Sequence, residues 1–224
     1  MNSPAAVRGS PADLEGARQR LLDAAAQLFA ARGYEGTTVR DIVGAAGTNL
    51  NAINYYYGGK RGLYEAVMTR EIERARSFAS GLARPSARDP IEARLESVVL
   101  RLLTFFVSSH SQLPRLAALE VVNPSSVFDA GGPPIHEAER AELRGIVTEA
   151  LGARASEERI EDCTRSVLSQ CVYFMFMGES LKRSGSPVFS NAAAVRRLAA
   201  HIASFSLGGI RSPGLSHPAT GADR

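Results

Sequence analysis

The 224-residue sequence predicts an all-α chain: an N-terminal three-helix helix-turn-helix domain followed by a larger helical domain. Apolar residues recur at spacings of three and four through almost every segment. No two alternating apolar runs are joined by a hairpin turn, and β-branched residues are scattered. Hydroxyl residues, Pro and Gly stand where helical segments would start and stop.

The elements follow in order. Residues 1–12 read as a loose tail of Pro, Ser and Ala. From Leu14 a helix carries Ala17, Leu21, Ala25, Leu28 and Phe29 on one stripe and ends at Arg32-Gly33, a basic last turn before a glycine C-cap. Thr37 and Thr38 precede Val39, Ile42, Val43 and Ala46, a short helix begun by a hydroxyl cap and ended at Gly47. A third helix over about 49–56 is broken by Gly58-Gly59. A long helix with Leu63, Val67, Ile72, Ala75 and Ala79 on one face follows. Pro85 and the stretch PSARDP mark a break, and further helices are expected at about 90–109, 114–121, 135–151, 156–183 and 190–207. NPSSVFDAGGPP (123–134) is the longest loop-like stretch, and residues 208–224 read as a second loose tail. The domains are thus 13–60, helix-turn-helix, and 61–207, a helical domain for effector binding and dimerisation.

Composition narrows the function. The formal net charge is +3, and all of that excess lies in residues 1–84, with 11 Arg or Lys against 8 acids. A basic first third fits a polyanion partner there. No apolar run near the start resembles a signal-peptide core, and the longest apolar stretch is CVYFMFM at 171–177, far short of a membrane span. The expectation is a cytoplasmic protein with no membrane association and with reduced thiols. Cys163 and Cys171 lie eight apart on one helix, about 12 Å, too far to bridge each other. The four histidines are dispersed, so neither a metal nor another cofactor is expected. No nucleophile elbow or acid-base pair points to an enzyme. GGKRG at 58–62 fails as a phosphate loop, because a Walker pattern needs glycine where Asn54 stands and Ser or Thr where Arg61 stands.

The third helix has the chemistry of a base reader. Its outer face holds Asn49, Leu50, Asn51, Ala52, Asn54 and Tyr55, while Ile53 joins Leu21, Phe29 and Ile42 in a small core. An asparagine amide can both donate to and accept from an adenine edge in the major groove, and Leu50 and Ala52 suit thymine methyls. Thr38, Arg40, Tyr55, Tyr56 and Lys60 supply hydroxyls and charges for phosphates.

RQRLLDAAAQLFAARGYEGTTVRDIVGAAG followed by NAINYYYGGKRGLYEAV, over residues 18–70, resembles the DNA-binding region of the tetracycline-repressor (TetR) family. The resemblance implies phosphate contacts from Thr38, Tyr55, Tyr56 and Lys60 and base contacts from Leu50, Asn51 and Ala52. Three positions depart from the family pattern. Tyr57 stands where an apolar aromatic is usual, Thr48 where the turn carries an apolar residue, and Arg61 where an acid is common. EVVNPSSVFD resembles the C-terminal domain of the CecR-like subgroup.

In the second domain, Ile160, Cys163, Val167, Cys171, Phe174, Gly178 and Leu181 keep a three-four stripe that becomes apolar all round near 171–177. One side can meet its own domain and the other a second copy, with Val195, Leu198, Ile202 and Phe205 adding area. A homodimer with a palindromic double-stranded DNA operator follows, as the resemblance also implies. Phe105, Phe106, Glu120, Asn123, Cys171, Phe174 and Met175 are candidate linings for an apolar or aromatic small-molecule effector, and ordinary core is the alternative reading of the same residues. The functional expectation is a repressor released from DNA by its effector. The alternative is a DNA-binding regulator without a small-molecule effector, controlled by a protein partner or by abundance.

Overall fold

A computed structural model describes residues 11–106, 111–128 and 137–212. Among them are nine α-helices and no strand: α1 (Pro11–Arg32), α2 (Val39–Ala46), α3 (Leu50–Tyr57), α4 (Lys60–Ser80), α5 (Ile91–Phe106), α6 (Leu113–Val122), α7 (Glu137–Leu151), α8 (Glu157–Arg183) and α9 (Ala192–Ile210), with one 3₁₀ turn at Pro187–Phe189. The all-α expectation is met, and local chemistry explains why. Thr38, Asn49, Ser156 and Asn191 each accept a hydrogen bond from the backbone of the following first turn, and Gly47 and Gly58 close α2 and α3 in the left-handed conformation.

The ends of the chain correct two expectations. Pro11 and Ala12 already belong to α1, and α9 continues through Gly208-Gly209 to Ile210 rather than stopping at 207. Leu207 and Ile210 are both buried, and burying two aliphatic side chains offsets the cost of about 1 kcal/mol for each helical glycine. The remaining tail residues, 1–10 and 213–224, lie outside the described residues, as do 129–134 of the loop-like stretch.

The chain divides into two compact units. The first comprises residues 1–74 and 110–133, so it takes in most of α4 together with α6. The core of that unit is Leu21, Ala25 and Phe29 of α1, Ile42 and Ala46 of α2, Ile53 of α3, Leu63, Val67 and Met68 of α4, and Leu113 and Leu116 of α6. The second unit comprises 75–109 and 134–224. There α5 packs against α7, α8 and α9, and Leu95, Val98, Leu102 and Leu103 fill the space between them. Cys171 lies in this core, where burial pushes its thiol up to about 12, so it is a packing residue rather than a nucleophile.

The passage from α3 to α4 depends on Gly62. A Cβ at that position would stand 1.9 Å from the Tyr57 carbonyl oxygen, a backbone atom that cannot step aside alone. Glycine to alanine inside a helix ordinarily stabilises. Gly62→Ala should do the opposite, lowering stability by about 1–3 kcal/mol as an overpacked site does. Urea unfolding of the two proteins checks this, and an unchanged or raised midpoint would show that α3 and α4 can separate freely.

Candidate nucleic-acid interface

The α2–turn–α3 segment is held by paired caps. Thr38 Oγ1 accepts from the Asp41 N–H at 3.2 Å, and Asp41 Oδ2 accepts from the Thr38 N–H at 3.1 Å, a reciprocal capping box. These bonds hold the Asp41 carboxyl below the usual range, led by the contact with the Thr38 side chain. Gly47 turns the chain at φ 61°, and Asn49 Oδ1 then accepts from the Ala52 N–H at 3.0 Å to start α3. One fully buried side chain, Ile53, anchors this helix to the core. Burying an isoleucine is worth about 1.5–3 kcal/mol, so the rest of α3 is left to present its outer face.

That face is open. Leu50, Asn51, Asn54 and Tyr55 are exposed, Tyr55 by 77%, and Ala52 is half-buried. Tyr56 is half-buried with its ring edge-on to Tyr55 at 5.0 Å. Tyr57 turns inward, and its hydroxyl donates to the Arg18 carbonyl at 2.9 Å. The phenol at a position where the family pattern has an apolar ring is therefore satisfied by α1. Asn49 and Thr38 differ from their expected roles. The Asn49 oxygen is committed to the cap, leaving its NH₂ free to donate, and the single Thr38 O–H is directed to Asp41 Oδ2 at 2.7 Å. As arranged, Thr38 is a helix cap and not a phosphate donor.

The charges divide between free and committed. Arg40 is exposed and makes no ion pair among the described residues. Lys60 Nζ lies 4.1 Å above the Tyr34 ring, a cation–π contact that steadies the ammonium at the start of α4. The first turn of a helix of this length leaves backbone N–H groups facing outward, so Lys60 and the α4 N-terminus together suit a phosphate. Arg61 does not add to this field as its sequence position suggests. It is held by Glu65 at 3.0 Å and by the Val127 carbonyl at 3.1 Å, within the same unit.

The expected effector residues divide between the two units. Glu120 and Asn123 belong to the first unit, at the end of α6, whereas Phe105, Phe106, Cys171, Phe174 and Met175 belong to the second. Glu120 accepts from the Tyr64 hydroxyl at 2.5 Å and from the Ser125 N–H at 3.1 Å. Phe105, Phe106, Cys171 and Met175 are buried on α5 and α8, and Phe174 is half-buried against Phe189. Of the residues expected at a dimer interface, Phe205 is 67% exposed and Val195 and Leu198 are half-exposed. Ile202 is corrected: at 3% exposure it lies in the chain's own core and has no surface to give a partner. On α8, Tyr173 and Phe176 are exposed, and so is Met177, which its apolar surroundings in the sequence place in the interior, because an all-apolar helix segment does not reveal which side its own domain covers.

Known proteins share these features. Residues 91–210 match the family model for the C-terminal domain of the HTH-type transcriptional dual regulator CecR, and residues 21–67 match that of the bacterial regulatory proteins of the tetR family. The chain is 25% identical over 205 residues to the HTH-type transcriptional dual regulator CecR of Shigella flexneri, covering 84% of this chain and 87% of that protein. It is 28% identical over 111 residues to the probable HTH-type transcriptional regulator YttP of Bacillus subtilis, spanning about half the length of that relative. The solved structure of the fatty acid degradation regulator FadR from Bacillus halodurans superposes with a TM-score of 0.58 at 16% identity, over 91% of this chain and 98% of that one, a likeness of fold. No helix among the described residues is long and apolar enough to cross a membrane.

Thr48, in the turn between α2 and α3, has a buried hydroxyl with no hydrogen-bond partner. Thr48→Val keeps the shape and removes the unsatisfied group, so it should stabilise the protein by about 1 kcal/mol. A lower melting temperature in the valine variant, read by circular dichroism, would show that the hydroxyl finds a partner in solution.

Proposed function

The chain belongs to the TetR family of DNA-binding transcriptional regulators, with a C-terminal domain of the CecR type, and from that premise we propose that it is a homodimeric repressor released from a palindromic operator by a small-molecule effector. The observation that carries the reading is the outer face of α3: Leu50, Asn51, Asn54 and Tyr55 are exposed on a helix held by one buried side chain and followed by Lys60 at the start of α4. Leu50, Asn51 and Ala52 read base edges, and Arg40, Tyr55, Tyr56 and Lys60 grip phosphates.

The two-fold reading rests on the second unit. Tyr173, Phe176 and Met177 on α8 and Phe205 on α9 form exposed apolar surface of the kind an isologous interface covers. Two recognition helices about one DNA turn apart, ~34–36 Å, then match a palindrome. The effector is an apolar or aromatic molecule admitted among Phe105, Phe106, Cys171, Phe174 and Met175, where Phe and Met side chains can repack. It acts by favouring a dimer whose spacing misfits the groove, and a tenfold loss of DNA affinity needs about 1.4 kcal/mol of coupling. The close burial of four of those five residues favours a second reading, a regulator without a small-molecule effector, controlled by a protein partner or by abundance.

Selection of bound sequences from a random DNA pool tests the core of this proposal. An enriched palindrome is expected, and enrichment of asymmetric sites would remove the dimer reading. On the selected site, Lys60→Ala should weaken binding to all sequences alike and reduce the salt slope by about one. Asn51→Ala should instead relax preference at one position per half-site, costing about 1–3 kcal/mol there. Identical profiles for the two variants would dissolve the division between phosphate and base contacts.

Phe205→Glu places a charge in the proposed interface. Sedimentation velocity should show a dimer for the parent and a monomer for the variant, with DNA affinity falling at least tenfold. A variant that remains dimeric locates the interface elsewhere.

A further inference from the structure

Within the first unit, the end of α1 with the connection after it, the start of α4 and the end of α6 line a cleft of about 450 Å³. That volume falls in the range of small-molecule sites. At its wall is the Glu120 carboxylate, 8% exposed, whose two contacts are the Tyr64 hydroxyl and the Ser125 N–H. Both donors are neutral, and no Lys, Arg or His among the described residues pairs with Glu120. The buried carboxyl group thus has only neutral partners among the described residues, and each of its oxygens keeps a further acceptor site. The Tyr34 and Tyr64 rings line the same cleft, tilted at 47° with centroids 5.0 Å apart. Burial and the contact with Glu120 raise the Tyr64 hydroxyl well above the ordinary range, so it stays a donor to the carboxylate. Asn123, Glu35 and Arg32 also line the cleft, and Arg32 is drawn to Asp41 at 3.8 Å.

We propose that this cleft binds a small organic ammonium ion, with its charge on Glu120 and its alkyl groups against Tyr34 and Tyr64, and that occupation weakens the hold on DNA. The chemistry is that of cation recognition by aromatic faces and a buried carboxylate. The molecule already shows the preference, since Lys60 rests its own ammonium on the Tyr34 ring. A second cation at Tyr34 repels Lys60 and competes for the same ring. The cleft also touches Gly33 and Gly36, in the connection that delivers the chain to the Thr38 cap of α2. Ligand and DNA are thereby coupled through one lysine and one short connection. By linkage, DNA weakens the ligand by the same factor that the ligand weakens DNA. The lining of this cleft belongs to the first unit, whereas the apolar residues named above belong to the second, and its effect on DNA rests on Lys60 being a phosphate contact.

The test uses the full chain and tetramethylammonium chloride, with sodium chloride and the neutral isostere 2,2-dimethylpropanol as controls. Calorimetry and tyrosine fluorescence, clean because the chain has no Trp, read the binding. Saturable binding of tetramethylammonium is expected, with neither control binding. Glu120→Gln should weaken it at least tenfold, and Tyr34→Leu, which keeps an apolar side chain but no ring, should weaken it severalfold while circular dichroism confirms that both variants are folded. Equal binding of the neutral isostere, or unchanged affinity in either folded variant, overturns the cation site, as does the absence of binding to the parent. In a band shift on the selected operator, saturating tetramethylammonium at fixed ionic strength should lower DNA affinity about three- to tenfold. Binding without that loss overturns the coupling. A parent that binds no selected DNA at all fails the regulator reading instead, and the calorimetry still decides the site.

Discussion

A buried carboxylate organises the first unit. Glu71 has no solvent exposure, yet it holds Arg70 at 3.1 Å and Arg74 at 3.2 Å and accepts hydrogen bonds from the Ser111 hydroxyl at 2.9 Å and the Gln112 N–H at 2.8 Å. Arg70 in turn reaches Asp23 at 2.6 Å and the Leu22 carbonyl on α1. One charge therefore joins α1, α4 and the start of α6. A desolvated ion network of this kind is weak evidence for net stability, but it is strict about geometry. Removing one member leaves a buried charge uncompensated at a cost of about 3–5 kcal/mol. The three helices consequently have one way of fitting together, and the small reader α2–α3 is built against that frame.

The reader itself shows polar groups divided between two uses. Thr38 and Asn49 are chemically able to meet DNA, but the backbone claims them first, because the first N–H groups of a helix have no partner of their own. Asn51, Asn54 and Tyr55 follow the cap, have no such duty and are left exposed. The same economy explains Arg61, whose guanidinium is tied to Glu65 and the Val127 carbonyl while Lys60 beside it faces only a ring. The positive field at the DNA face is thus narrower than the basic composition of the first third suggests.

The second unit uses a related device, with the buried charge on an arginine. Arg101 of α5 is 1% exposed and reaches Glu142 of α7 at 2.5 Å and Ser97 at 2.8 Å, and Ser97 donates to the Ala83 carbonyl. Around it aliphatic packing from α7, α8 and α9 closes the core. The large apolar side chains left exposed on α8 and α9 are aromatic or sulfur-bearing, a surface that water solvates poorly and that another protein surface can cover.

The helices and their caps were legible in the sequence, as was the polar outer face of α3. These depend on interactions over three or four residues, and Thr38, Gly47, Asn49, Gly58 and Ser156 carry their chemistry wherever they occur. Periodicity also marked the apolar stripes, but a stripe says which residues share a helix face and not which neighbour covers it. Ile202 and Phe205 lie one turn apart on α9, and only the packing of neighbouring helices, α5 foremost, on one flank makes the first core and leaves the second bare. Glu120 and Asn123 stand at the end of an apolar helix like any other, yet α6 docks in the first unit and brings Glu120 to Tyr64, 56 residues away in sequence. Such long-range pairings are set by which faces bury each other, and that is decided by the packed structure, where the partner of each polar group is chosen from whatever the other helices deliver.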